Sequence, residues 1–362
     1  MRELSKGYDL ELRAHRLVNF LGFFCRRRIN IYSSEGNQIT DIDVIGIKFN
    51  SFLNPEYILI ETKSEKGFAS ILKLKGLLEY FNSNIAYIIR PNITPDIIRF
   101  SETLDIHALH TARLDEIEDT FGIPRDKWIY SYSHENDYVI DQFKKLLREN
   151  KFRSQLSILN YFWEERDPFY TIKILIDFTD FLLKEMNKNI EDSLRKALRY
   201  LLFEHIILFV ICILRCCNEL FKYPTYQRRK FFQERLISGK LSFDEKENLL
   251  DKFYSFIKNY SKISNIDMKL ERKDLSLMPI YENNLYDLMN EYINNSKEVI
   301  FLPIILDLYE SQLIKEIKIE DNTVIKEISI SEDYLKTCKT LFGNTIDFLF
   351  KKSPNFISNI IQ

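Results

Sequence analysis

Apolar positions in the first third of the chain follow two alternating spacings. Tyr8 to Leu21 carries Leu10, Ala14, Leu17, Val18 and Leu21 on one helical face, between Gly7 and Gly22. Phe23 to Tyr32, Ile39 to Lys48 and Tyr57 to Lys63 are strand-like runs. Ser34-Glu35-Gly36-Asn37 predicts a turn between the first two, with Gly36 free to take a positive φ. Phe49 to Glu56 joins the next two and holds Asn50, Ser51, Asn54 and Pro55, all turn or breaker residues. Helical spacing returns at Phe68 to Asn82, with Ile71, Leu74, Leu77, Leu78 and Phe81 on one side. Ile85 to Ile89 is an unbroken apolar run, as expected of a strand buried on both faces. Thr94-Pro95-Asp96 places a cap and a first-turn proline at the start of a helix reaching toward Leu104. Ile106 to Leu109 predicts a last short strand, and Leu114 to Phe121 a short acidic helix. The string α-β-β-β-α-β-α-β predicts a mixed sheet flanked by helices.

The pattern changes after Gly122-Ile123-Pro124, which sets an expected boundary between residues 1–122 and 123–362. Tyr138 to Leu147, Ser154 to Glu164, Tyr170 to Asn187, Ile190 to Leu220, Gln227 to Ser238, Phe243 to Tyr260 and Leu285 to Asn294 all predict helices, making the second part mostly α-helical. Ile206 to Leu214 is continuously apolar, but a bilayer span takes about 20 residues. Arg199, Glu204, His205 and Arg215 close the run on both sides, so a core helix is expected and no membrane. Leu313 to Ser331 alternates charge with isoleucine around Glu320-Asp321-Asn322 and suggests a small hairpin, with a helix as the alternative.

Charge narrows the function classes. A formal net charge of −2 argues against a broadly basic surface that coats nucleic acid, while leaving room for a local basic groove. The five cysteines contain no CxxC pair, which predicts free thiols in a reducing compartment. Met1 to Gly7 has no apolar segment of the secretory kind, so a cytoplasmic protein is expected. The five histidines form no HxxxH pair, and there is no P-loop and no GxGxxG.

The informative chemistry lies between Thr40 and Lys63. Residues i and i+2 of a strand share a face, so Glu61 and Lys63 point one way and Thr62 the other. Asp41 and Asp43 likewise share a face of the preceding strand. If the two strands pair, two or three carboxylates and an ammonium converge among Ile, Val and Leu. Buried charges cost several kcal/mol each, roughly, unless they pair or bind a cation. A hard divalent cation suits such a carboxylate group.

At Asp41-Ile42-Asp43-Val44-Ile45 and Glu61-Thr62-Lys63, with Gly7-Tyr8-Asp9-Leu10-Glu11 opening the first helix, the chain resembles the PD-(D/E)XK nuclease superfamily. The order is most similar to the Holliday-junction resolvase and Mrr-type branches. The resemblance covers the first third of the chain, and the family's proline is replaced by Ile42. It implies an α/β restriction-endonuclease-like domain followed by the helical one. It implies Mg²⁺ or Mn²⁺ held by Asp43, Glu61 and the backbone carbonyl of Thr62. It implies Lys63 as the group that positions the attacking water, and Glu11 as a support for the metal.

Arg26, Arg27 and Arg28 read either as a solvated strand edge or as a phosphate-contacting patch beside the site. Lys66, Lys73 and Lys75 are further candidate backbone contacts. Arg228-Arg229-Lys230, among Tyr223, Tyr226, Phe231 and Phe232, is better taken as a helix face with core aromatics. The expected activity is metal-dependent hydrolysis of a nucleic acid, DNA rather than RNA and endonucleolytic. Its helical part would sense, bind a partner or recognise DNA, as in a defence effector. Cutting both strands with one site per chain suggests a homodimer. The alternative is a catalytically silent protein of the same fold that binds nucleic acid or protein, with Glu61 and Lys63 an ordinary edge-strand ion pair.

Overall fold

The computed structural model describes residues 6–350 apart from 34, 36, 64–66, 84, 125–133, 239–242, 265–278 and 317–319. Gly36 and Lys66 therefore lie outside the described residues. The first part runs α1 (Lys6–Phe20), β1 (Phe24–Tyr32), β2 (Gln38–Phe49), β3 (Pro55–Thr62), α2 (Ala69–Phe81), β4 (Ile85–Arg90), α3 (Pro95–Glu102), β5 (His107–His110) and α4 (Thr111–Phe121). This is the α-β-β-β-α-β-α-β order expected from the spacing.

The strands form one sheet in the order β1-β2-β3-β4-β5. Short connections make β1–β2 and β2–β3 antiparallel, whereas α2 and α3 carry the chain across to parallel neighbours at β3–β4 and β4–β5. The middle of the sheet is buried: Ile42, Val44, Ile45, Ile58, Leu59, Ile60, Ile88 and Ile89 are excluded from solvent. α1 packs on β1, β2 and β3, and α2 on β3 and β4. Gly46 permits the close approach of α1. A Cβ there would stand 2.7 Å from Val18 Cγ1 and 2.9 Å from Ile58 Cγ2, inside van der Waals contact. The Thr94 hydroxyl caps α3 by accepting from the Ile97 amide, with Pro95 in the first turn.

The second part is helical: α5 (His134–Glu149), α6 (Arg153–Glu164), α7 (Pro168–Met186), α8 (Asp192–Phe221), α9 (Thr225–Ser238), α10 (Phe243–Ser264), α11 (Glu282–Asn294), α12 (Ser296–Val299), α13 (Leu302–Lys315), α14 (Asp321–Ile328) and α15 (Glu332–Phe350). α8 is its axis, packed against α5, α7, α11 and α13. By length and composition α8 could cross a membrane, yet 94% of its most apolar window is buried inside the protein. It is a core helix, apolar all round because neighbours surround it.

Among the described residues of Leu313 to Ser331, which leave out 317–319, the helical alternative holds and no hairpin is found. α13 ends at Lys315 with Glu316 in the left-handed region (φ 53°), and α14 occupies Asp321 to Ile328. Val324, Ile325 and Ile328 suit a helical face as well as alternation does, and burial of Val324 decides for the helix.

The two parts are joined by polar contacts as well as a shared apolar core. Phe24 of β1 stacks on Trp163 of α6 at 6.3 Å. Asn218 Nδ2 of α8 donates to Asn54 Oδ1 at 2.6 Å. Arg26 of β1 is surrounded by three carboxylates of the helical part: Asp307 at 2.6 Å, Glu204 at 2.9 Å and Glu310 at 3.0 Å. All five cysteines are free and buried.

Candidate active site

The β2–β3 ladder stops at Val44↔Ile60, one residue short of Asp43 and Glu61. On either side pairing continues: β1 follows β2 to Gln38, and β4 follows β3 to Thr62↔Ile89. β2 and β3 therefore part at Asp43, and a side chain replaces the missing ladder bond. The Thr62 amide donates to Asp43 Oδ2 at 2.6 Å and its hydroxyl donates to the same oxygen at 2.9 Å. Asp43 is thus fixed by backbone, which holds a short charged side chain more firmly than a flexible partner could.

Glu61 lies across the fork and is wholly buried. Burial, and next the neighbouring Asp43 carboxylate, push its carboxyl up to about 7, against the pull of Lys73 and Lys63. Lys63 Nζ stands 3.5 Å from Glu61 Oε2 and 3.8 Å from Asp43 Oδ2, with its side chain partly open to solvent. Lys73 of α2 places its ammonium 2.8 Å from Glu61 Oε1 and 2.8 Å from Asp41 Oδ1. Neither Glu61 oxygen has a well-aligned hydrogen bond, so these contacts to Glu61 are ionic rather than directional. Burial raises Asp41, but Lys73 and then Lys63 outweigh it and hold that carboxyl below its usual value. Burial works against the Lys73 ammonium too, and Asp41 and Glu61 more than restore it.

The structure thus brings together Asp43, Glu61, Lys63 and Thr62 with Asp41, the second carboxylate of that strand face, and with Lys73 of α2. Lys73 is a member of the cluster rather than a free contact for a nucleic-acid backbone. Its signal was present, since helix α2 follows directly on the Glu61-Thr62-Lys63 strand. Arg90, at the end of β4, was missed. It is 2% exposed, donates to the Gly67 carbonyl at 2.7 Å and to Ser70 Oγ, and feels the Glu61 charge. An arginine closing the apolar run Ile85 to Ile89 is the only cue the sequence offered.

Among the described residues the ion pairs of Glu11 are with Arg28, at 2.6 Å, and Arg27, at 3.9 Å, both on the neighbouring strand β1. One expectation is corrected. Arg26 and Arg27 are buried and bound to protein carboxylates, Arg27 to Asp137, so the run Arg26-Arg27-Arg28 is not an open patch for a nucleic-acid strand. Of the three only Arg28 is exposed. It stands at the level of Asp43, between the pairs Arg27↔Val44 and Ile29↔Ile42, with a φ of 55°. Lys75 pairs with Glu79 on its own helix at 3.7 Å.

Two neighbouring carboxylates that share one ammonium, one of them destabilised by burial and like charge, suit a divalent cation that keeps several waters. Among the described residues no group of three or more His, Cys, Asp or Glu side chains has metal-binding geometry, so such a cation would depend on the pair and on water. Set beside protein families, curated proteins and solved structures, the chain matches none.

Proposed function

We propose that this chain is a metal-dependent nuclease of the PD-(D/E)XK type, acting on the phosphodiester bonds of DNA at the β2–β3 fork. The observation that carries the proposal is the meeting of Asp43, Glu61 and Lys63 where the two strands separate, within 3.5 and 3.8 Å of one ammonium. The α-β-β-β-α-β-α-β order around that fork supports it.

Asp43 and Glu61 are the groups that would hold Mg²⁺ or Mn²⁺. A divalent cation there supplies a Lewis acid for the scissile phosphate and a water of lowered pKa. The Thr62 amide and hydroxyl keep Asp43 aimed into the fork. Lys63, the partly exposed cation, orients the attacking water and stabilises negative charge as it develops on the phosphate oxygens. Lys73 holds Asp41 and Glu61 from the α2 side and balances the buried charge. The helical part is the regulatory half, tied to β1 through Arg26, one strand from the site.

One observation favours a second reading. Lys73 already supplies Glu61 with a cation at 2.8 Å, which is how a silent protein of this fold would neutralise its remaining carboxylates. Incubation of wild type, Asp43→Ala, Glu61→Ala and Lys63→Ala with plasmid, linear duplex, single strand, four-way junction and RNA, in Mg²⁺, Mn²⁺ or EDTA, separates the two. Metal-dependent cutting lost in all three variants is expected. Cutting retained in any two of them removes this site.

A further inference from the structure

A pocket of about 100 Å³ opens between β1 and the helices α5, α6 and α8. Its wall carries Arg26, Arg27, Arg28, Lys144 and Arg148 against one carboxylate, Glu204. The other acids that hold the arginines stand outside the wall: Asp307 and Glu310 on Arg26, Asp137 on Arg27 and Glu11 on Arg28. Burial pushes Lys144 below the usual lysine range, in spite of the pull of Glu204, Asp141 and Asp137.

An independent observation concerns Trp163, which lines the same pocket. It is 5% exposed, and its buried indole N–H has no acceptor among the described residues. An indole nitrogen can only donate, and a buried donor left unmatched is destabilising. Cations with an unmatched N–H, and few acceptors, are complementary to a group that is negatively charged and made of acceptors. Phosphate is such a group, with a geometry that arginine matches. The space admits a phosphate group and not a nucleic-acid strand.

We propose that this pocket binds the phosphate group of a small molecule, as inorganic phosphate or as a phosphate monoester. None of its wall residues belongs to the β2–β3 fork, so the proposal stands apart from the nuclease assignment. The site lies where β1 meets the helical part, with Arg28 and Arg148 at its exposed side.

The chain has two tryptophans, Trp128 and Trp163. In Trp128→Phe the emission comes from Trp163 alone. This protein is titrated with inorganic phosphate and with adenosine 5′-monophosphate, in EDTA so that no divalent cation carries phosphate to the fork. Isothermal titration of the unaltered chain gives the same affinity without the substitution. A saturable change is expected, weakened by salt, with Kd raised at least tenfold, roughly, in Lys144→Ala and in Arg148→Ala. Tighter binding of the nucleotide assigns a phosphate monoester, and equal binding assigns free phosphate. No saturable binding of either at millimolar concentration overturns the proposal. So does binding that survives the combined Lys144→Ala and Arg148→Ala substitutions.

Discussion

Asp43 accepts two hydrogen bonds from Thr62, one from its amide at 2.6 Å and one from its hydroxyl at 2.9 Å, at the first position where β2 and β3 no longer pair. The strand fork and the carboxylate that fills it are one feature. The ladder ends at Val44↔Ile60, and the Thr62 contacts to Asp43 tie the two strands together one residue beyond it.

Glu61 should make the metal-free protein less stable as pH rises. Its carboxyl is raised in the folded state from 4.5 to about 7. Between those values the folded chain holds a proton that the unfolded chain has lost. Stability from this group is therefore full below about pH 4.5 and declines through about pH 7, by up to about 3 kcal/mol. Glu61→Gln should lack this decline and be about 1–3 kcal/mol more stable than wild type at pH 8 in EDTA. Denaturant unfolding of both proteins at pH 5 and pH 8 measures it. An identical pH slope in the two would show that Glu61 ionises normally.

Arg26 should matter to folding rather than to substrate binding. Its removal leaves Glu204, Asp307 and Glu310 buried together without their guanidinium. Breaking a buried ion pair from one side costs about 3–5 kcal/mol. Arg26→Met should lose about that much at pH 7. Chemical denaturation at pH 7 is the check. A loss under about 1 kcal/mol would mean that the contact contributes little between the two parts.

Lys73 should compete with a divalent cation for Glu61. Lys73→Met removes an ammonium 2.8 Å from that carboxylate. Calorimetric affinity for Mn²⁺ should rise on the order of tenfold, which corresponds to about 1.4 kcal/mol of relieved repulsion. Weaker Mn²⁺ binding in this variant would instead make Lys73 a support that orients Glu61.

Local features carried most of what the sequence disclosed. Strand alternation, the turn residues of Phe49 to Glu56 and the cap at Thr94-Pro95 act over a few residues, and each is found in the fold. Asp43 and Glu61 stood out because charge is costly in a buried strand. The partners of Arg26 could not be read in the same way, since Glu204, Asp307 and Glu310 lie 178 to 284 residues away along the chain. Without them three consecutive arginines looked like a solvated or substrate-facing edge. The partner of the first-helix carboxylate was hidden too: Arg28, with its left-handed backbone, pairs with Glu11. Leu313 to Ser331 was ambiguous because an Ile-and-charge alternation fits either period, and only packing separated them.

Calorimetric titration of the metal-free protein with Mg²⁺ and with Mn²⁺ at pH 8, alongside Asp43→Ala and Glu61→Gln, tests the fork most directly. Saturable binding by wild type, lost in both variants, is predicted, with affinity falling about tenfold per unit below pH 7 as Glu61 takes up its proton. No binding by wild type, or equal binding by all three proteins, would contradict a divalent-cation site at Asp43 and Glu61.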